Sequence, residues 1–124
     1  MEKDNVARAV EYYTLVGEKN TQGVEKHLDP NVEFFSPLAT LKGKKAVIES
    51  TSNFMKAFKS LTIRAKFGAK DQAIVVYNVD IPGISKDFPG ASLLSFRDGL
   101  IVKIELFHDG APFQKKKEEI FSKT

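Results

Sequence analysis

Between Asp4 and Lys19 the apolar residues Val6, Ala9, Val10, Tyr13 and Val16 recur every three or four positions, which predicts an amphipathic helix capped by Asp4 or Asn5. Asn20 to Gly23 interrupts that pattern and opens a shorter second helix with Val24 and Leu28 one turn apart. Asp29-Pro30-Asn31 is expected to end it, because proline has no N–H to continue the ladder. Val32 to Ser36 alternates as a first strand, with Val32, Phe34 and Ser36 on one face and Glu33 and Phe35 on the other, and Pro37 closes it. Lys44 to Lys59 returns to helical spacing, with Val47, Thr51, Phe54 and Phe58 on one stripe flanked by Ile48 and Met55.

In the second half the period drops to two. Leu61, Ile63, Ala65 and Phe67 alternate with Thr62, Arg64 and Lys66, predicting a strand with one buried face. After a turn over 68–72, Ala73 to Ile81 forms a strand on which Ile74, Val76, Asn78 and Asp80 share a face, read as apolar and then polar toward the interior. Pro82-Gly83 and Pro89-Gly90 bracket a loop that holds Asp87 and Phe88. Ala91 to Arg97 and Leu100 to His108 are two strands joined at Asp98-Gly99, a dipeptide suited to a hairpin whose central residues need positive φ. On the last strand Lys103 and Glu105 belong in water, so Val102, Ile104, Leu106 and His108 are assigned the inner face, with His108 at the rim. Helices segregated before a meander of strands predict an α+β fold, helices packed on one face of a curved antiparallel sheet.

Composition removes whole classes of chemistry. The chain of 124 residues is expected to be a single domain over 1–124, with residues 110–124 as a short tail. With no Cys it can hold no disulfide, thiol nucleophile or Cys-ligated zinc. The net charge of +3 carries no basic arm, since Lys115-Lys116-Lys117 is answered by Glu118-Glu119, so no nucleic-acid partner is expected. The start lacks a signal-peptide pattern, and the longest apolar run, Ala73 to Tyr77, is too short for a bilayer. A cytoplasmic protein with no membrane partner is the expectation.

The run from Tyr12 to Pro37 (YYTLVGEKNTQGVEKHLDPNVEFFSP), the segment Gly43 to Phe58, and Phe96 to Val102 followed by Phe107-His108-Asp109 resemble the nuclear-transport-factor-2-like superfamily. Ketosteroid isomerase, limonene epoxide hydrolase and the SnoaL-type polyketide cyclases are members. The resemblance runs from about Val6 to Phe113. It implies a cystatin-like cone: a strongly curved, mostly antiparallel sheet and three helices from the first half enclosing an apolar cavity, often in homodimers joined through the outer sheet face. By its similarity to ketosteroid isomerase, Tyr12 takes the place of the tyrosine that donates to the developing oxyanion. Ser36 stands where that family has its general base, and Ser92 where it has a protonated aspartate. With both carboxylates replaced, ordinary steroid isomerase chemistry is not expected. The similarity to limonene epoxide hydrolase puts Asp80, in Asn78-Val79-Asp80, at the proton-donating carboxyl, Ser36 near the residue that holds water, and Leu106 at a second aspartate. His108 lies two residues further along the same face.

The candidate catalytic residues are therefore Asp80 and His108, with Tyr12, Ser36, Asn78, Ser92 and Phe88 as substrate-binding candidates. Each has a plainer reading. Asp80 can cap the turn before Pro82-Gly83, His108 can be a strand-end residue bonded to a carbonyl, and the two serines can be ordinary sheet residues. Tyr13 reads as core, and His27 as exposed. No metal ligands and no cofactor are expected. Three functions stay open: a cofactor-independent acid/base enzyme on a small apolar cyclic molecule, of isomerase, hydrolase or cyclase type; a non-catalytic binder of such a molecule; or an interaction protein whose outer face, holding Phe35, Tyr77 and Phe107, makes a homodimer or binds another partner.

Overall fold

The computed structural model describes residues 4–113, so the Lys115-Lys116-Lys117 run and most of the expected tail lie outside the described residues. Helix α1 spans Asn5–Gly17, and its first turn is closed by the Asp4 carboxylate, which accepts from the Ala7 amide at 2.7 Å. One face buries Ala9, Tyr12, Tyr13 and Val16, as the three-and-four spacing requires. Helix α2, Thr21–Glu25, is capped in the same manner by Asn20, which accepts from the Gly23 amide.

Strand β1, Leu28–Phe35, starts earlier than expected and takes in Pro30. The proline is tolerated because the pairing with β6 shifts register between Leu28 and Glu33, so no ladder amide is missed there. A three-residue strand β2, Thr40–Lys42, folds back on β1. It is too short for alternation to register, which is why the sequence pattern does not reveal it. Helix α3, Lys44–Ala57, follows, and the chain is already extended at Phe58.

Strands β3 (Ser60–Ala69), β4 (Gln72–Ile81), β5 (Ser85–Arg97) and β6 (Leu100–Phe107) complete one curved, unclosed sheet in the order β2-β1-β6-β5-β4-β3. Only β1 and β6 run parallel. The β5–β6 turn is the expected one, with Asp98 at φ 53° and Gly99 at φ 81°. A single 3-10 turn, Ala111–Phe113, ends the described chain.

Three face assignments are corrected. On β4 the buried set is Ala73, Val75, Tyr77, Val79 and Ile81, so Asn78 and Asp80 point to the convex side. On β3 a bulge between Ile63 and Ala65 reverses the alternation, and Phe67 emerges outward, 64% exposed. On β6 an irregularity opposite Ser95 and Phe96 makes Val102 the extra residue, so Ile101 is buried while Ile104, Leu106 and His108 keep the inner face. The expected loop over 82–90 is also shorter, a turn over 82–84 after which β5 begins and carries Phe88 opposite Val79.

Candidate functional site: an aromatic, carboxylate-free cavity

Helices α1 and α3 lie over the concave face of the sheet, and between them is a cavity of about 90 Å³. Each element supplies residues at its own period. From α1 come Tyr12, Tyr13 and Val16; from α3, Ser50, Thr51 and Phe54, neighbours around successive turns. Strand β4 contributes Tyr77, Val79 and Ile81, β5 contributes Phe88 and Gly90, and β6 leads through Ile104 and Leu106 to His108. Phe34 and Leu38 close the remaining side. No Asp or Glu is among these residues.

The polar groups inside are hydroxyls. The Tyr13 hydroxyl donates to Ser92 Oγ at 2.6 Å, and Ser92 Oγ also meets the Tyr77 hydroxyl at 2.9 Å. Ser92 is fully buried, with the two phenol rings tilted against each other at 5.0 Å between centroids. Tyr12 stands edge-on to Tyr13 and bonds the Thr51 side chain. Burial disfavours a phenolate in all three. The Tyr13 phenol is pushed up to about 12, by desolvation opposed by its bonds to Ser92 and Tyr77. Tyr12 and Tyr77 are driven well above the ordinary range, by desolvation first and then by the neighbouring Tyr13. The cavity therefore presents neutral phenols, whose O–H groups can donate.

His108 stands at the rim. Its Nδ1 lies 2.9 Å from the Asp109 carbonyl oxygen, and its ring meets Phe88 edge-on at 5.9 Å. A carbonyl only accepts, so in the neutral ring this bond puts the proton on Nδ1 and makes Nε2 the basic nitrogen.

Of the residues singled out from sequence, the structure brings Tyr12, Phe88 and His108 together around the cavity and sets Ser92 behind its phenols. Ser36 does not line it: its Oγ accepts from the Leu38 and Ala39 amides and shapes the β1–β2 turn. Asn78 accepts from Arg64 Nη1 at 3.4 Å on the convex face, and Asp80 is half-buried there beside β3. His27 is not exposed as expected; its side chain is 18% accessible, 3.9 Å from Glu11 and edge-on to Tyr12.

The sequence expectations leave Tyr13, Phe54 and Gly90 out of the site and place Tyr77 on the outer face, whereas all four line the cavity. The signal for Tyr77 is present in the sequence: Ala73, Val75, Tyr77, Val79 and Ile81 form an unbroken apolar set, whereas the alternate set ends in Asn78 and Asp80. Among the described residues no group of three or more His, Asp or Glu is placed to hold a metal ion, and no helix is long and apolar enough to cross a membrane.

Residues 9–104 match the model of the SnoaL-like domain family. No curated protein matches the chain significantly. Among solved structures, an NTF2-like protein of unknown function from Cytophaga hutchinsonii is 18% identical, with a TM-score of 0.78 over 91% of this chain and 96% of that one. A steroid delta-isomerase from Pseudomonas aeruginosa is 19% identical, with a TM-score of 0.78 over 97% and 90%. A de novo designed protein with a curved β-sheet is 18% identical, with a TM-score of 0.81 over 96% and 98%. At such identities the likeness concerns the fold alone, and a shared fold does not assign chemistry.

Proposed function

The chain belongs to the SnoaL-like domain family of the nuclear-transport-factor-2-like superfamily, and on that premise we propose that its cavity binds a small, uncharged, largely apolar molecule with one oxygen function. The observation that carries this reading is the lining: aromatic and aliphatic side chains, neutral phenol hydroxyls and no carboxylate. A charged ligand would lose its hydration there without an opposite charge in the interior, and an apolar one would not. Size narrows the class further. Sites for drug-sized molecules run to roughly 300–1,000 Å³, whereas this cavity of about 90 Å³ suits a single ring. A steroid would need several side chains to move.

The acid/base chemistry open to this lining is that of one imidazole with phenol donors. His108 Nε2 would take a proton from carbon next to a ring carbonyl, the phenol hydroxyls would hold the oxygen as charge builds on it, and the same imidazolium would return the proton elsewhere on the ring. That sequence moves a double bond, is balanced without a cofactor, and gives Asp80 no part. Cyclohex-3-enone, one ring with a carbonyl, tests it. Conversion to cyclohex-2-enone that His108→Gln abolishes without weakening binding supports the reading. Binding with no turnover by the native protein makes the cavity a binding site only, and no binding at all overturns the proposal.

A homodimer through the convex face belongs to the same reading. Phe107 and Phe67 stand 56% and 64% exposed there, the large apolar side chains such an interface would cover. Sedimentation equilibrium of the native chain against Phe107→Glu would detect it, the variant being monomeric if the face is the interface and unchanged if not.

A further inference from the structure

Gly90 sits on β5 directly opposite Tyr77 of β4, buried, on the side of the strand that lines the cavity. A Cβ at that position would lie 2.8 Å from Tyr77 Cε1, 3.4 Å from Cζ and 3.5 Å from Cδ1. The ring edge thus occupies the space a side chain would take. That edge is no flexible tip, because the same ring is tilted on Tyr13 at 5.0 Å. Two residues along β5, on the same face, Ser92 Oγ shares a hydrogen bond of 2.9 Å with the Tyr77 hydroxyl, in which either oxygen can donate. With no side chain at Gly90, the ring edge has room there and the phenol reaches Ser92.

We propose that Gly90 is a positioning residue for the cavity: the missing side chain fixes Tyr77, and through it the hydroxyl cluster on Ser92 that recognises the ligand's oxygen. This rests on the reading of the cavity as a binding site for a small neutral molecule. An alanine there must push the ring off β5 toward Tyr13, lengthening the bond to Ser92 and narrowing the cavity. The glycine's own backbone has no left-handed conformation, so the effect is one of contact alone.

The test compares the full chain with Gly90→Ala, using Gly17→Ala as the control, where the added Cβ meets Leu61 at an ordinary 3.6 Å. Proton NMR of the buried phenol hydroxyls reads the cluster without any ligand, and phenol and benzene are the probes, alike in size and different by one hydroxyl. The native chain and Gly17→Ala should show a slowly exchanging Tyr77 hydroxyl, and Gly90→Ala should lose it. Gly90→Ala should also bind benzene more weakly, because the displaced ring narrows the cavity, and phenol more weakly by a further factor of about ten, the size of one lost hydrogen bond, so that the preference over benzene is lost. The double variant Gly90→Ala/Tyr77→Leu, which removes the contact, should fold and recover benzene binding without the preference. Should Gly90→Ala keep the hydroxyl signal and both affinities, the proposal is wrong, as it is if the double variant behaves no better than the single one. Should the native chain bind neither probe while Gly90→Ala still loses the hydroxyl signal, the positioning role stands and the cavity reading fails.

Discussion

The concave and convex faces of the sheet are drawn from alternate residues of the same strands and carry opposite chemistry. On β4 the concave side is Ala73, Val75, Tyr77, Val79 and Ile81, and the convex side carries Ile74, Val76, Asn78 and Asp80. The convex face solvates its charges and covers Phe35 with the Lys103 ammonium, 5.2 Å above the ring. The concave face satisfies its few polar atoms internally, and among the described residues no buried side-chain nitrogen or oxygen is left without a partner. The enclosed side of the sheet, which holds the candidate site, is thus the one whose lining has no carboxylate. Polarity marks where water is, and the candidate site is defined by hydroxyls held away from it.

The contrast can be broken from the concave side first. Tyr77→Ala should cost about 3–5 kcal/mol in urea denaturation, since it removes a buried ring that packs on Tyr13 and spans Gly90. Ser92→Ala deletes only an oxygen, yet it strips a partner from two buried phenols, and about 2 kcal/mol is expected. Retention of full stability in Ser92→Ala would mean the phenols find other partners.

Alkaline pH sharpens the contrast without mutation. The folded Tyr13 phenol holds its proton up to about 12, whereas in the unfolded chain tyrosine ionises near 10. Between those values the unfolded chain binds fewer protons than the folded one, so stability falls as pH rises. Below about pH 10 both states keep the proton, and these phenols add no slope there. A stability-versus-pH curve flat from pH 9 to 12 would contradict the burial of the cluster. The smallest effect is expected on the convex side, where Asp80→Asn should change stability by no more than about 0.5 kcal/mol and leave ligand binding as it was.

Much of this architecture is legible in the chain. The α1 and α3 stripes, the hairpin at Asp98-Gly99 and the inward placement of Ile104, Leu106 and His108 all follow from period and turn chemistry. The errors on β3 and β6 share a physical origin. A bulge moves every later side chain on a strand to the opposite face, and neither the bulge in β3 near Arg64 nor the one in β6 at Val102 is marked by Gly or Pro. On β4 both alternate sets begin apolar, so the parity rests on Tyr77 against Asn78, and a search for carboxylates favours the wrong set. The Tyr13–Ser92–Tyr77 cluster joins residues far apart in sequence, and no spacing rule anticipates it.

The central claim is that the cavity takes a small molecule and excludes charge. Its most direct test is an NMR titration of the native chain with phenol and, separately, with benzoate, a ring of similar size that carries a full negative charge. The account predicts that phenol shifts the resonances of Tyr12, Tyr77 and His108 in a saturable manner, and that benzoate binds at least about tenfold more weakly because nothing inside repays its desolvation. Equal binding of the two, or no saturable shift with phenol, would contradict it.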